Sequence, residues 1–292
     1  MANRRVLVKR RKAARNIRKI TRTMQLISTA RFQSAFSVAV AGRPYTDKLA
    51  ELVGNLAKAA KGLEHPLLQV PEVERRSALV VLTSSRGLCG GYNTNVLRAA
   101  VSHVDAQIGA GVDPELHVIG RKGIAFLKYL GRDLTQAITD ISDQPRFDEV
   151  EPLANRMMER FAGGELDSVW VCYTKFISTG QQRPVIERLL PLEPETLADA
   201  VETESSEVPY EFSPPPRELL QELLPATVRV RFYQAFMDAA VSEHVARMVA
   251  MKAATDAAED MIKRLTAQYN RARQTQITME LLDIVGGADA LA

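Results

Sequence analysis

The sequence predicts an α/β protein: a mainly parallel sheet in the middle of the chain, and long N- and C-terminal helices that pair as an antiparallel coiled coil. Three observations carry this. All fourteen prolines and fourteen of the sixteen glycines fall between Gly42 and Pro225, so residues 1–41 and 226–285 hold no helix breaker. Both ends repeat apolar residues at alternating spacings of three and four, the period of a coiled-coil seam. The middle alternates short apolar runs with helical patterns, as a sheet with crossover helices does.

The N-terminal helix is expected within residues 1–60. Its apolar stripe is Ile17, Ile20, Met24 and Ile27, flanked by Arg15, Arg18, Lys19 and Arg22. In the C-terminal stretch, Ile262, Leu265, Tyr269, Ala272, Gln276 and Met279 continue the same alternation. Small residues at Ala250, Ala253, Ala254, Ala257 and Ala258 would let a second helix approach closely. Lys252 and Glu259 are expected on the extended seam, weakening it and setting its register, or else facing solvent there. As one helix this stretch would run on the order of 90 Å at ~1.5 Å per residue, too long to be buried in its own domain. The other breaker-free end is its obvious partner.

The sheet domain is expected over residues 76–192. Ala78 to Thr83, Leu116 to Ile119, Val169 to Tyr173 and Val185 to Leu190 read as strands, and 94–108, 122–130 and 148–162 as helices between them. Residues 193–213, rich in Glu, Ser and Pro, read as an acidic linker. Ser213 and the prolines after it predict the cap and first turn of a short helix over 214–223, opening a C-terminal segment that runs to 292. Val228 to Phe232 alternates with period two like a strand, but the unbroken sequence after it and Pro225 before it favour helix.

Charge is polarised along the chain. Residues 1–41 carry eleven Lys and Arg and no acid, so the net +3 of the whole leaves −8 for the rest. The basic end must face phosphate, an acidic protein surface or the acidic part of its own chain. It has two aromatics, Phe32 and Phe36, and no recognised nucleic-acid module, which favours acidic protein loops over nucleic acid. No apolar run is long enough to span a bilayer, and the N-terminus lacks the apolar stretch of a secretory signal. Cys89 and Cys172 form no CxxC or metal spacing and read as reduced, small hydrophobes.

Ser84 to Asn93, reading SSRGLCGGYN, follows the first strand where a phosphate loop would sit, yet it matches neither GxGxxG nor a P-loop. It reads as a tight strand-to-helix turn. His65, His103, His117 and His244 form no constellation with Cys89 or with one another, so no catalytic, cofactor or metal site is expected. The apolar C-terminal end, Ile277 to Val285, is either a helix capped at Gly286 or a segment buried in a partner.

Three ordered blocks resemble the gamma subunit of F-type ATP synthases, nearly end to end. They are Asn16 to Met24 with Ala30-Arg31; Ser85 to Asn95; and Ser242-Glu243-His244, Arg247 to Ala257, Tyr269 to Gln274, Ile277-Thr278 and Ile284 to Ala288. The resemblance implies a coiled-coil shaft on a Rossmann-like domain. It implies a non-catalytic rotor of a proton-translocating synthase, turning inside a ring of alpha and beta subunits, with its foot on the c-ring and the epsilon subunit. Arg18, Lys19, Arg22, Met24, Gln25, Arg86 and Cys89 are then expected against the beta subunits. Gln274, Ile277, Thr278, Glu280, Leu281, Ile284 and Val285 are expected in an apolar bearing, and Arg43, Tyr45, Tyr210, Glu211 and Phe212 at the foot. Gln25 stands where relatives often carry Lys or Glu, and Ser213 where an acid is common. The cysteine-bearing insert of chloroplast forms is missing, and the match begins too early for an organellar presequence. A bacterial source is expected, peripheral to the cytoplasmic side of the inner membrane and touching it only through the c-ring. The competing reading of the residues is a nucleotide-binding α/β enzyme with a coiled-coil oligomerisation arm.

Overall fold

The computed structural model describes residues 4–59, 65–192 and 215–289. The expected acidic linker and the foot residues Tyr210, Glu211 and Phe212 lie outside them. In chain order the elements are α1 (Arg4–Ala59), a 3-10 turn (Pro66–Leu68), β1 (Arg76–Leu82), α2 (Tyr92–Gly109), β2 (Asp113–Ile119), α3 (Arg121–Tyr129), β3 (Gln136–Ile138), α4 (Phe147–Ala162), β4 (Ser168–Ser178), β5 (Gln181–Leu190) and α5 (Pro216–Asp289). The described residues up to Thr29 and from Arg247 onward form one compact unit, and Ala30–Ala246 another.

The larger unit is built on a five-stranded sheet in the order β3-β2-β1-β4-β5. Its first four strands run parallel and β5 returns antiparallel along β4. Central β1 is buried from Ser77 to Leu82, as a strand covered on both faces must be. Its side chains alternate between two cores. Leu79 and Val81 pack with Val96, Ala100, Val104 and Leu127 of α2 and α3. Ala78, Val80 and Leu82 pack with Met157 of α4, Val53 and Leu56 of α1, and Leu220, Leu224, Val228 and Phe232 of α5. β3 escapes sequence reading because it is only three residues long and has no apolar run.

Val228 to Phe232 is helical, as the breaker pattern favours, but the short helix over 214–223 does not exist as a separate element: α5 passes unbroken through Pro225. The energetics explain this. An interior proline costs about 3 kcal/mol, whereas Leu220, Leu224, Val228 and Phe232 are fully buried at four-residue steps along one face, each worth about 1.5–3 kcal/mol. Nor does the helix stop at Gly286; it runs on to Asp289.

In the smaller unit α1 and α5 pair antiparallel, but through a different face of α1 than the sequence singles out. Leu7, Ala14, Thr21 and Ser28 are buried at strict seven-residue steps, the repeat of a left-handed supercoil. Ile17, Ile20 and Ile27 are 50, 59 and 50% exposed. The most apolar stripe is thus displaced by one residue from the seam, which small side chains hold because they admit the partner backbone closely. On α5 the seam is Met251, Thr255, Ala258, Ile262, Leu265, Tyr269 and Ala272, all buried or half-buried. Lys252 and Glu259 are exposed, the second of their two expected placements. Leu7 and Ala14 pack with Leu265, Arg11 stacks over the Tyr269 ring at 4.9 Å, and the Thr255 hydroxyl lies 2.8 Å from that of Thr21. Arg18 reaches Glu259 at 3.5 Å with both side chains near half exposed, so this pair adds little.

Candidate functional site

The loop after β1 is closed on itself. The Ser84 N–H donates to Asn93 Oδ1 at 3.0 Å, the Ser84 hydroxyl to the Arg86 carbonyl at 2.6 Å, and Asn93 Nδ2 to Ser84 Oγ at 2.7 Å. Cys89 is 2% exposed, and Asn93 Nδ2 lies 3.3 Å from its sulfur. Leu88 and Gly90 adopt φ of 64° and 58°, which turns Leu88 and Arg86 outward, 61% and 66% exposed. The polar groups of Ser84 and Asn93 are thus used within the turn itself.

The crevice where a doubly wound sheet binds nucleotides lies at the carboxyl ends of the strands where their order reverses, here between β1 and β4. α5 fills it. Tyr92 donates its hydroxyl to the Ala239 carbonyl at 3.2 Å, and Ser242 donates to the Thr174 carbonyl at 3.0 Å. Beside Phe236, Ala239 and Ala240 a void of only 50 Å³ remains, room for one or two waters. The enzyme reading loses its natural site to the helix. Burial pushes the Cys172 thiol up to about 12, which leaves it inert at neutral pH. Among the described residues no group of three or more His, Cys, Asp and Glu could hold a metal, and no helix is long and apolar enough to cross a membrane.

Beyond β1, β2 and β3 the same edge of the sheet opens into a cleft of 770 Å³ whose arginines are Arg31, Arg86, Arg121 and Arg146. Asp143 gathers two of them: its Oδ2 lies 2.7 Å from Arg31 and 3.5 Å from Arg86. The sequence-based reading missed Asp143, Arg121 and Arg146. For Asp143 and Arg146 the only signal was the polar stretch after β3, a strand too short to be recognised, and Arg121, at the start of α3, had none.

The expected surface residues divide by burial. Lys19, Arg22, Arg43 and Tyr45 are exposed, while Arg18, Met24 and Gln25 are half-buried beside the α1 seam. Arg22 donates to Gln25 at 3.1 Å. Every residue from Arg273 to Gly286 is exposed, including Gln274, Ile277, Thr278, Glu280, Leu281, Ile284 and Val285. They lie beyond Ala272, the last α5 residue among those described that packs against the Leu7, Ala14 and Leu265 cluster.

Arg43 also approaches a buried carboxylate, Asp238, at 3.9 Å. Burial pushes the Asp238 carboxyl up to about 6, helped by Glu187 and opposed by Arg43, a bond from Gln234 and Lys175. A carboxyl that holds its proton more tightly folded than unfolded contributes stability below its unfolded value of 3.8, and this is lost as pH rises to about 6. The swing is at most about 3 kcal/mol, at ~1.4 kcal/mol per pH unit. Urea midpoints measured from pH 4 to 7 should therefore fall for the native chain relative to Asp238→Asn; parallel curves would mean that Asp238 does not titrate in this range.

Comparison with known proteins supplies the context for these surfaces. A family model described as ATP synthase matches residues 3–291. The chain is 44% identical to the ATP synthase gamma chain of Rhodopirellula baltica over 296 residues, covering 100% of this chain and 99% of the relative. It is 40% identical to that of Leptospira biflexa, covering 100% of both. Among solved structures it resembles a chain of the Euglena gracilis mitochondrial ATP synthase, OSCP/F1/c-ring, at 19% identity and TM-score 0.65, covering 99% of this chain and 94% of that one. A chain of the Tetrahymena thermophila mitochondrial ATP synthase, central stalk and c-ring, matches at 21% identity and TM-score 0.60, covering 80% of this chain and 99% of that one.

Proposed function

This chain belongs to the ATP synthase gamma chain family, and from that premise we propose that it is the rotating central stalk of a proton-translocating ATP synthase. It is itself non-catalytic and couples rotation of the c-ring to ATP synthesis at the beta subunits. Segments 1–60 and 214–292 act as the shaft and 76–192 as the supporting domain. It sits peripherally on the cytoplasmic side of the bacterial inner membrane and meets the bilayer only through the c-ring. An asymmetric shaft presents different contacts to each beta subunit at each angle, and differential contact is what shifts binding equilibria between sites.

Full-length identity to gamma chains carries the reading, and the surfaces agree with it. The ridge of Ile17, Ile20 and Ile27 is exposed next to Lys19 and Arg22, as a face meant for apolar and acidic partner surfaces would be. Arg18, Met24 and Gln25 border it, and Arg86 belongs to the same beta-facing set, with Cys89 buried beneath to hold its loop. The exposed residues Gln274 to Val285 form the bearing tip; Arg43 and Tyr45, with Tyr210, Glu211 and Phe212, form the foot toward the c-ring and epsilon subunit.

The test is co-expression with alpha, beta and epsilon subunits. Removing residues 280–292 is expected to reduce retention on the alpha and beta ring at least several-fold, while leaving the thermal transition of the Ala30–Ala246 unit unmoved, because Leu281 to Gly286 are exposed and lie outside that unit. Undiminished retention of the truncated chain would contradict the bearing assignment.

A further inference from the structure

The arginine cleft has a chemistry of its own. Ser85 and Arg86 follow β1, Arg121 opens α3 after β2, and Thr139 to Arg146 follow β3, so all but one of its cations come from the carboxyl ends of three adjacent parallel strands. Four guanidiniums face two carboxylates, Asp140 and Asp143. Asp143 is occupied by Arg31 and Arg86, and Arg146 by Asp148 in an exposed pair at 2.6 Å, which competes weakly with a ligand. Arg121 has no hydrogen-bond or ion-pair partner among the described residues. Hydroxyls of Ser85, Thr139 and Ser142 share the lining, and Ile141 is its one aliphatic side chain.

We propose that this cleft binds an oligophosphate group, either as inorganic oligophosphate or as the phosphate tail of a nucleotide. Several guanidiniums in one concavity suit a compact ligand of high charge, since each offers a planar fork to phosphate oxygens. A lining with one aliphatic residue and no aromatic platform gives a base nothing to stack on. The site reads phosphate alone.

The proposal concerns the isolated chain and does not depend on the rotor reading. Calorimetric titration of the full chain at fixed ionic strength, with sodium tripolyphosphate, ATP and adenosine, tests it. Tripolyphosphate and ATP are expected to bind with affinities within about threefold of each other, and adenosine not at all. Arg86→Gln with Arg121→Gln should weaken tripolyphosphate binding roughly tenfold or more. Lys9→Gln with Arg10→Gln, on the exposed basic face of α1, should leave it unchanged. Asp140→Asn should tighten it a few-fold by removing a like charge, a gain that a damaged fold would not produce. No saturable binding, or affinity unaltered by the Arg86 and Arg121 changes, would overturn the site. ATP binding far tighter than tripolyphosphate would overturn the claim that the base goes unread.

Discussion

Phe232→Ala is expected to lower the unfolding free energy of the Ala30–Ala246 unit by about 3–5 kcal/mol, read as a shift in urea midpoint. Phe232 is fully buried and meets the Phe236 ring edge-on at 5.1 Å. It belongs to the core that joins α5 to the sheet, so its loss leaves a cavity lined by strand, helix and loop side chains. The informative control is Ile20→Ala. Ile20 sits on the most apolar stripe of α1 but is 59% exposed, so its truncation should change stability by no more than about 0.5 kcal/mol. Equal costs at the two positions would mean that the apolar stripe, and not the small-residue face, forms the seam.

Gly120→Ala should be as severe, through the backbone. Gly120 joins β2 to α3 at φ 94°, and a Cβ there would fall on the Thr83 carbonyl. That carbonyl cannot retreat. The Thr83 N–H donates to the Ile119 carbonyl at 2.9 Å, and its hydroxyl donates to the same oxygen at 2.7 Å while accepting the Gly123 N–H at 3.0 Å. Positive φ adds about 1–2 kcal/mol, and displacing the β1–β2 junction brings the total to roughly 3–5 kcal/mol. Gly131→Ala isolates the conformational part: its φ is 72° with open space around it, so it should cost only about 1–2 kcal/mol. Thermal denaturation of both variants checks the difference.

These contrasts show which features were legible in the sequence. Breaker distribution located both long helices, and apolar runs located β1, β2 and β4, because those signals reflect backbone constraint and two-sided burial that few residues can fake. The α1 seam was not legible. Periodicity reports the most apolar face, whereas a close antiparallel pair buries small residues such as Ala14, Thr21 and Ser28 and leaves its larger apolar groups outside. The helix through Pro225 was illegible for a related reason, since only tertiary burial of Leu224 and Val228 outweighs the local penalty. The arginine cleft brings together residues 31, 86, 121, 143 and 146 from two helices and two loops, and no spacing in the chain announces that.

The most direct test of the account is a chain carrying Thr21→Cys and Thr255→Cys, oxidised mildly and assembled with alpha and beta subunits. The two hydroxyls lie 2.8 Å apart, within reach of a bridge, and the native cysteines are buried. The account predicts near-complete intrachain linkage, with ATP-driven rotation observed on single molecules continuing, because both strands belong to one turning body. Failure to form the link, or rotation halted by it and restored on reduction, would contradict the antiparallel shaft.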